Sequence, residues 1–269
     1  MQISGKVAVI TGAARGFGKR LAEVVVDKGG FVVVADVLEE EGIETARELN
    51  GRAGAGGRKT VAAFHRCDVR DLNSISRLLS AAEKEFGRVD IMVNNAGVGG
   101  TVPWTDANNG SVSRTIDINM KAPIEGTRVA VKHFIDRGHP GCVVNVASMM
   151  AFFPAEFGPV YGATKSGVVN FTAACATLAQ ADPPIRVNAV APNFADTAMV
   201  RDSALGASTS VLGAGGILTV DEVVDQMVRC IEDESLSGDT IKLLPGKSPL
   251  VHKGRKAVSL GIITGTPKL

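Results

Sequence analysis

The sequence predicts an α/β fold: a doubly wound, seven-stranded parallel sheet with helices on both faces, in a single domain. Three observations predict it. Short runs of Val, Ile and Ala recur without polar alternation, as strands buried on both faces require. Amphipathic helical patterns separate these runs, the repeat of a strand–helix–strand crossover. The first strand meets its helix through a glycine turn, Thr11-Gly12-Ala-Ala-Arg15-Gly16-Phe17-Gly18.

In chain order, strands are expected near 6–11, 31–36, 60–66, 89–94, 141–147, 185–191 and 240–244. Val7-Ala-Val-Ile10 forms the first, and a helical pattern follows from Lys19 to Lys28. Phe31-Val-Val-Val-Ala35 forms the second and ends in Asp36. The stretch Gly51-Arg-Ala-Gly-Ala-Gly-Gly57 reads as a loose helix-to-strand connection rather than a domain boundary. The fifth strand, Val143-Val-Asn-Val-Ala147, ends just before Ser148. No linker or internal repeat divides residues 1–269. A segment near 198–217, rich in Ala, Ser and Gly, is either a lid that orders over a substrate or a plain flexible loop.

Composition narrows the class. The chain is 45% hydrophobic and 21% charged with a formal net charge of +1, which leaves nothing to attract nucleic acid. Cys67, Cys142, Cys175 and Cys230 are far apart in apolar segments, so buried reduced thiols are expected and a metal site is not. No apolar run approaches the ~20 residues that span a bilayer, so no stable membrane insertion is expected. Met1-Gln-Ile-Ser-Gly-Lys6 leads directly into a strand rather than a secretion signal, and the expectation is cytoplasmic. Pro267-Lys-Leu269 differs from the peroxisomal Ser-Lys-Leu address in its first position, which keeps that compartment as the minor alternative. After Asp239 the charged residues are Lys242, Lys247, Lys253, Arg255, Lys256 and Lys268, and this basic tail near 245–269 is a solvated segment or a surface for a membrane or partner.

The chemistry-bearing residues fall into two groups. A strand, a glycine turn and a helix start build a nest of backbone N–H groups where a diphosphate can approach, with Gly12, Gly16 and Gly18 as its cradle. Asp36 lies eighteen residues beyond Gly18, near the spacing of a carboxylate that accepts adenosine ribose hydroxyls. The second group centres on Tyr161, the single tyrosine, four residues before Lys165 and thirteen after Ser148. A phenol works as a general base near neutral pH only where a cation stabilises its phenolate, and a lysine one helical turn on supplies that cation. Taken alone, each also fits a structural role: a packing tyrosine, a surface lysine, a helix-capping serine.

Together, Thr11-Gly-x-x-x-Gly-x-Gly18, Asp68-Val69, Asn94-Asn-Ala-Gly97, Asn119, Ser148, Tyr161-x-x-x-Lys165 and Pro192 followed by Thr197 resemble the short-chain dehydrogenase/reductase family from about residue 3 to 244. Within it the chain most resembles the NAD-dependent 15-hydroxyprostaglandin dehydrogenases. The resemblance implies a Rossmann fold, a nicotinamide cofactor and hydride transfer between an alcohol and its ketone. It implies that Tyr161 removes the hydroxyl proton, that Lys165 lowers the phenol's pKa and holds the nicotinamide ribose, that Ser148 bonds the substrate oxygen, and that Asn119 positions a helix and a proton-returning water chain. For the cofactor it implies Asp68 and Val69 at the adenine, Asn94, Ala96 and Gly97 at the adenosine ribose, and Thr197 at the carboxamide, with Arg15, Phe17, Val37, Cys67, Pro192 and Phe194 adjoining. Homodimers or homotetramers pairing through helices near 123–138 and 161–180 are implied as well.

Two positions depart from the pattern. Asn193 stands where many members have glycine after proline, and Gly158 stands where prostaglandin dehydrogenases usually have glutamine. Arg15 suits a 2′-phosphate, but Asp36 repels one, so NAD is expected over NADP, with Arg15 either paired to Asp36 or solvated. Met149, Met150, Phe152, Phe153 and Phe157 offer an apolar substrate wall to which Trp104 adds, unless they belong to the core; Ser148, Met150, Phe157 and Tyr161 are the expected substrate contacts. The expected function is NAD-dependent interconversion of a hydrophobic secondary alcohol, lipid or prostaglandin-like, and its ketone. A carbonyl reductase or hydroxysteroid dehydrogenase is the alternative within the class. A non-catalytic NAD-binding sensor is the alternative outside it, and the joint presence of Asn119, Ser148, Tyr161 and Lys165 favours the enzyme.

Overall fold

Seven strands form where the apolar runs lie: β1 Val7–Thr11, β2 Phe31–Asp36, β3 Ala62–Arg66, β4 Ile91–Asn94, β5 Gly141–Val146, β6 Ile185–Pro192 and β7 Thr240–Leu243. The computed structural model describes residues 1–53, 60–71, 73–100, 102–104, 110–154, 156–201 and 216–254. Between the strands run α1 Gly16–Asp27, α2 Glu39–Ala53, α3 Ser74–Phe86, α4 Gly110–Ile116, α5 Ala122–Arg137, α6 Pro159–Ala174, the short α7 Ala198–Arg201 and α8 Val220–Glu232. One π-helical turn, Asp117–Lys121, joins α4 to α5.

The sheet order is β3-β2-β1-β4-β5-β6-β7-β8, parallel through β7. Chain progression reverses between β1 and β4, and a doubly wound sheet opens its ligand crevice there, beyond the carboxyl ends of the strands. Alternate strand residues bury opposite faces. Ala8, Ile10, Val32 and Val34 pack with Leu21 and Val25 of α1 and Met227 of α8, whereas Val9, Val33 and Met92 pack with Leu78 and Leu79 of α3 and Phe134 of α5. Both faces are dry, which is why these strands read as unbroken apolar runs.

The expected seven-stranded sheet has an eighth strand, β8 Leu250–His252, antiparallel to β7. It forms inside the segment read as a basic tail. Three residues preceded by Pro249 carry no apolar run to signal a strand; the ladder to β7 and one carboxylate hold it. Buried Asp239 accepts Lys253 Nζ at 2.9 Å and Gly254 N at 3.1 Å. Arg255, Lys256, Lys268 and the Pro267-Lys-Leu269 terminus lie outside the described residues, as do residues 202–215 of the expected lid and 54–57 of the glycine-rich connection.

Candidate active site

Strand register brings the sequence motifs to one crevice. Thr11 pairs with Ala35, so Asp36 stands beside Gly12, and Ile10 pairs with Val93, so Asn94 and Asn95 flank the same turn. Gly12 (φ +64°) and Gly16 (φ +60°) adopt backbone that side chains resist. A Cβ at Gly12 would lie 2.8 Å from Ala96 Cα, whereas one at Gly16 would meet only Thr197 Cγ2, at 3.9 Å. Open space in front of Gly16, at the start of α1, is what a diphosphate needs, and in this respect the residues present fit a dinucleotide. Gly18 does not face the cavity: a Cβ there would collide with Gly12 O, so this glycine permits close packing of α1 on the turn rather than contact with a cofactor.

The cavity has a volume of about 860 Å³. Of the expected cofactor residues, Gly12, Arg15, Gly16, Phe17, Asp36, Val37, Cys67, Asp68, Val69, Ala96, Gly97, Tyr161, Lys165, Pro192, Phe194 and Thr197 line it. The buried Asp36 carboxylate accepts Ala14 N at 3.0 Å and Leu38 N at 3.1 Å, which fixes it against the glycine turn. Arg15 is exposed and forms no ion pair with Asp36 among the described residues, so of its two expected states the solvated one is observed. Asp68 is held by Arg70, whose hydrogen bonds keep its carboxyl below the usual range. Burial pushes the Cys67 thiol up.

Asn94 corrects the expectation. It is buried, and its Nδ2 donates to Asn145 Oδ1 at 2.8 Å, away from the cavity. Asn95, and not Asn94, lines the cavity: its Nδ2 donates to Thr11 O at 2.9 Å and Gly12 O at 2.8 Å, tying the β4 loop to the glycine turn. Strand alternation carried the signal, since successive residues at the end of β4 point to opposite sides. Asn193, the departure from the family's glycine, keeps a negative φ and donates from its N to Leu243 O at 3.0 Å.

At the other end, Ser148 follows β5, with its Oγ accepting Met150 N at 3.2 Å and donating to Pro192 O at 3.5 Å. Tyr161 and Lys165 occupy the first two turns of α6, which starts with Pro159 at its first helical position. Lys165 Nζ lies 5.6 Å from the Tyr161 ring centroid and donates to Val146 O at 2.7 Å. Asn119, inside the π turn, is fully buried and clasps the Val98 backbone, accepting its N at 2.9 Å and donating to its O at 2.8 Å. It does not line the cavity; a Cβ on Gly97 would stand 3.5 Å from Asn119 Oδ1 and 3.8 Å from Lys165 Nζ, so Gly97 sits against both.

One electrostatic expectation is corrected. The Tyr161 phenol is pushed above its ordinary value, because burial outweighs a hydrogen bond with Ser148. Burial also lowers Lys165, to about 8, so the ammonium is less favoured than in water yet still predominates at pH 7. Both shifts disfavour charge, and burial is the cause of each.

The apolar wall is smaller than the sequence suggested. Met150 and Phe157 line the cavity, with the Phe157 ring tilted against Phe194 at 6.4 Å between centroids. Met149 is buried in the core, Phe152 lies 5.1 Å from the His252 ring, and Phe153 and Trp104 are exposed outside the cavity. Gly100, Met199 and Val200 also line the cavity; Met199 and Val200 belong to the segment read as a lid or a flexible loop, and no motif marked Gly100.

Comparison with known proteins agrees with this geometry. The short chain dehydrogenase family matches residues 6–207. The human 15-hydroxyprostaglandin dehydrogenase [NAD(+)] is 30% identical over 92% of this chain and 94% of its own. The Aspergillus fumigatus short chain dehydrogenase helC is 33% identical over 92% of this chain and 98% of its own. A crystal structure of a short-chain type dehydrogenase/reductase from Mycobacterium marinum superposes with a TM-score of 0.80 at 27% identity, covering 90% of this chain and 95% of that one. The chain belongs to the short-chain dehydrogenase family and is an oxidoreductase that acts on hydroxyl groups with a nicotinamide cofactor.

Proposed function

We propose that this enzyme is an NAD-dependent dehydrogenase of hydrophobic secondary alcohols, interconverting a lipid-like alcohol and its ketone. The observation that carries the reading is the junction of a proton-handling group with an apolar wall: Ser148 and Tyr161 share one cavity surface with Met150 and Phe157. Gly158 adds to it, since a Cβ there would press on Met150 Cε at 2.9 Å, so its absence lets the thioether extend into the space before Tyr161.

Asp36 supports NAD over NADP: a carboxylate fixed by two backbone N–H groups accepts ribose hydroxyls and repels a 2′-phosphate. The NAD named for the human relative supports the same choice. Gly12, Gly16, Asp36, Val69, Gly97 and Thr197 would hold the dinucleotide, which when bound supplies the acceptor for hydride leaving the carbinol carbon. Ser148 donates a hydrogen bond to the substrate oxygen, and Tyr161 takes the hydroxyl proton. Tyr161 accepts that proton as the phenolate and becomes the neutral phenol; the Lys165 ammonium, 5.6 Å from the ring centroid, stabilises the phenolate beforehand, and buried Asn119 holds the Val98 loop. Free thiols at all four cysteines support a reducing compartment, the cytoplasm. The family likeness supports a homodimer or homotetramer built through α5 and α6.

A homologous series from 2-butanol to 2-dodecanol with NAD tests the substrate class. A buried methylene is worth about 0.8 kcal/mol, so kcat/KM is expected to rise roughly threefold to fourfold per carbon before levelling. Flat or falling efficiency, or activity confined to polyols and sugars, overturns the hydrophobic reading.

A further inference from the structure

Four polar side chains lie buried behind the catalytic groups: Asn94 at the end of β4, Asn145 in β5, Thr127 in α5 and Thr172 in α6, none more than 4% exposed. Polar groups at such depth need partners, and these find one another. Asn94 Nδ2 donates to Asn145 Oδ1 at 2.8 Å and to Thr127 Oγ1 at 3.3 Å. Asn145 Nδ2 donates to Thr172 Oγ1 at 3.1 Å, and Thr127 Oγ1 donates to Pro123 O at 2.8 Å. The bonds run unbroken from the first turns of α5, through two strands, to α6.

Those elements carry the mechanism. The π turn holding Asn119 leads into α5, β5 leads to Ser148, and α6 holds Tyr161 and Lys165, with Thr172 about two turns beyond Lys165 on the same helix face. The Asn145 amide has one workable orientation, because turning it over would set its NH2 against the NH2 of Asn94. The fit is close: a Cβ on Gly126 of α5 would collide with Asn94 Oδ1, and a Cβ on Gly167 of α6 would lie 2.7 Å from Met120 Sδ in the π turn.

We propose that Asn145 and Thr172 are positioning residues for the dehydrogenase reaction: the buried bridge they form sets the distance of the Tyr161 and Lys165 helix from Asn119 and Ser148. The inference rests on the catalytic roles assigned above. Neither residue touches the cavity, so both act through the groups they align.

Thr172→Val tests it, since valine keeps the shape and removes the hydroxyl that Asn145 needs. With the fastest alcohol of the 2-alkanol series, kcat is expected to fall between about tenfold and a hundredfold, as small misalignments at a reacting centre do. The NAD dissociation constant, measured by calorimetry, is expected to stay within about twofold, because β1 and β2 lie outside the bridge, and the alkaline limb of the kcat profile is expected to move. Thr172→Ser restores the hydroxyl and is expected to recover kcat to within about threefold. The proposal is overturned if Thr172→Val keeps kcat within about twofold of the parent, if kcat and NAD binding fall together with the folded fraction, or if serine fails to rescue. Tyr161→Phe, measured in parallel, separates the two readings. An active Tyr161→Phe overturns the catalytic assignment, whereas an inactive one beside a fully active Thr172→Val overturns the bridge alone.

Discussion

Gly12, Asp36 and Asn95, at the cofactor end of the cavity, are held by backbone: two N–H groups on the Asp36 carboxylate, two carbonyls on the Asn95 amide, and positive φ at Gly12. Met150, Phe157 and Met199, at the substrate end, project from a single turn of 3-10 helix, a loop and a four-residue helix, and Phe157 and Met199 are 38% and 45% exposed. The first end is determined several times over, so one altered side chain there breaks a geometry shared by many atoms. The second end is a surface of adaptable groups, each replaceable at modest cost. Family chemistry resides where the backbone is fixed, and substrate choice resides where it is not.

Between the two ends stand Tyr161 and Lys165, and substitutions there are expected to have the largest effects. Tyr161→Phe removes the proton acceptor and leaves the glycine turn untouched, so kcat is expected to fall on the order of a hundredfold or more with NAD affinity preserved. Steady-state kinetics beside calorimetry check both halves, and an undiminished kcat would falsify the role of the phenol.

Lys165→Met is expected to pull activity and stability in opposite directions. Burial lowers Lys165 from 10.5 to about 8, which costs the folded protein about 3 kcal/mol below pH 8. The methionine variant loses the hydrogen bond to Val146 O, which offsets about 1 to 2 kcal/mol of the relief, so a net gain of about 1 to 2 kcal/mol is expected at pH 7. Between pH 8 and about 10 the unfolded chain holds a proton that folded Lys165 has lost. Wild-type stability therefore climbs with pH across that window, and the variant's advantage fades. Urea unfolding at pH 7 and pH 9.5 reads the difference; an equal gap at both sinks the assignment of the penalty to the ammonium.

How much of this was legible follows the same division. Each predicted strand lies within two residues of an observed one because buried parallel strands announce themselves as apolar runs. Gly12, Asp36 and Ser148 reach one cavity because register aligns the ends of β2, β1, β4 and β5, and α6 brings Tyr161 and Lys165 to it. β8 was invisible, as its stability comes from Asp239 and a neighbour's ladder rather than from its own residues. Gly18 and Asn94 do not make the cofactor contacts expected of them, since motif spacing tells which residues gather and not which way each points. Of five apolar residues expected at the substrate wall only two line it, because turns between Ser148 and Tyr161 have no period from which to read a face.

At the cofactor end, Asp36→Ala is expected to weaken NAD roughly tenfold or more, since hydrogen bonds to a charged group are worth about 1.5 to 3 kcal/mol. NADP binding is expected to improve as the repulsion of its phosphate is removed while exposed Arg15, which lines the same cavity, remains to meet it. Calorimetric titration of both dinucleotides against parent and variant measures the gap. A parent enzyme that prefers NADP would assign the choice to Arg15 instead.

The smallest expected effect belongs to the adaptable end, and it is the one that tests the comparison itself. Phe157 is partly exposed, lies tilted against Phe194 and lines the cavity, so Phe157→Ala removes wall area without opening the core. Short 2-alkanols never reach that ring and should be oxidised by the variant at the parent rate. Longer ones lose its contact, so the increase in kcat/KM per added carbon is expected to drop by roughly half, at about 0.4 kcal/mol instead of 0.8 for each methylene that faced the ring. A uniform loss across all chain lengths would show instead that Phe157 supports the Tyr161 helix. The substrate end would then be as fixed as the cofactor end, and the division drawn between them would fail.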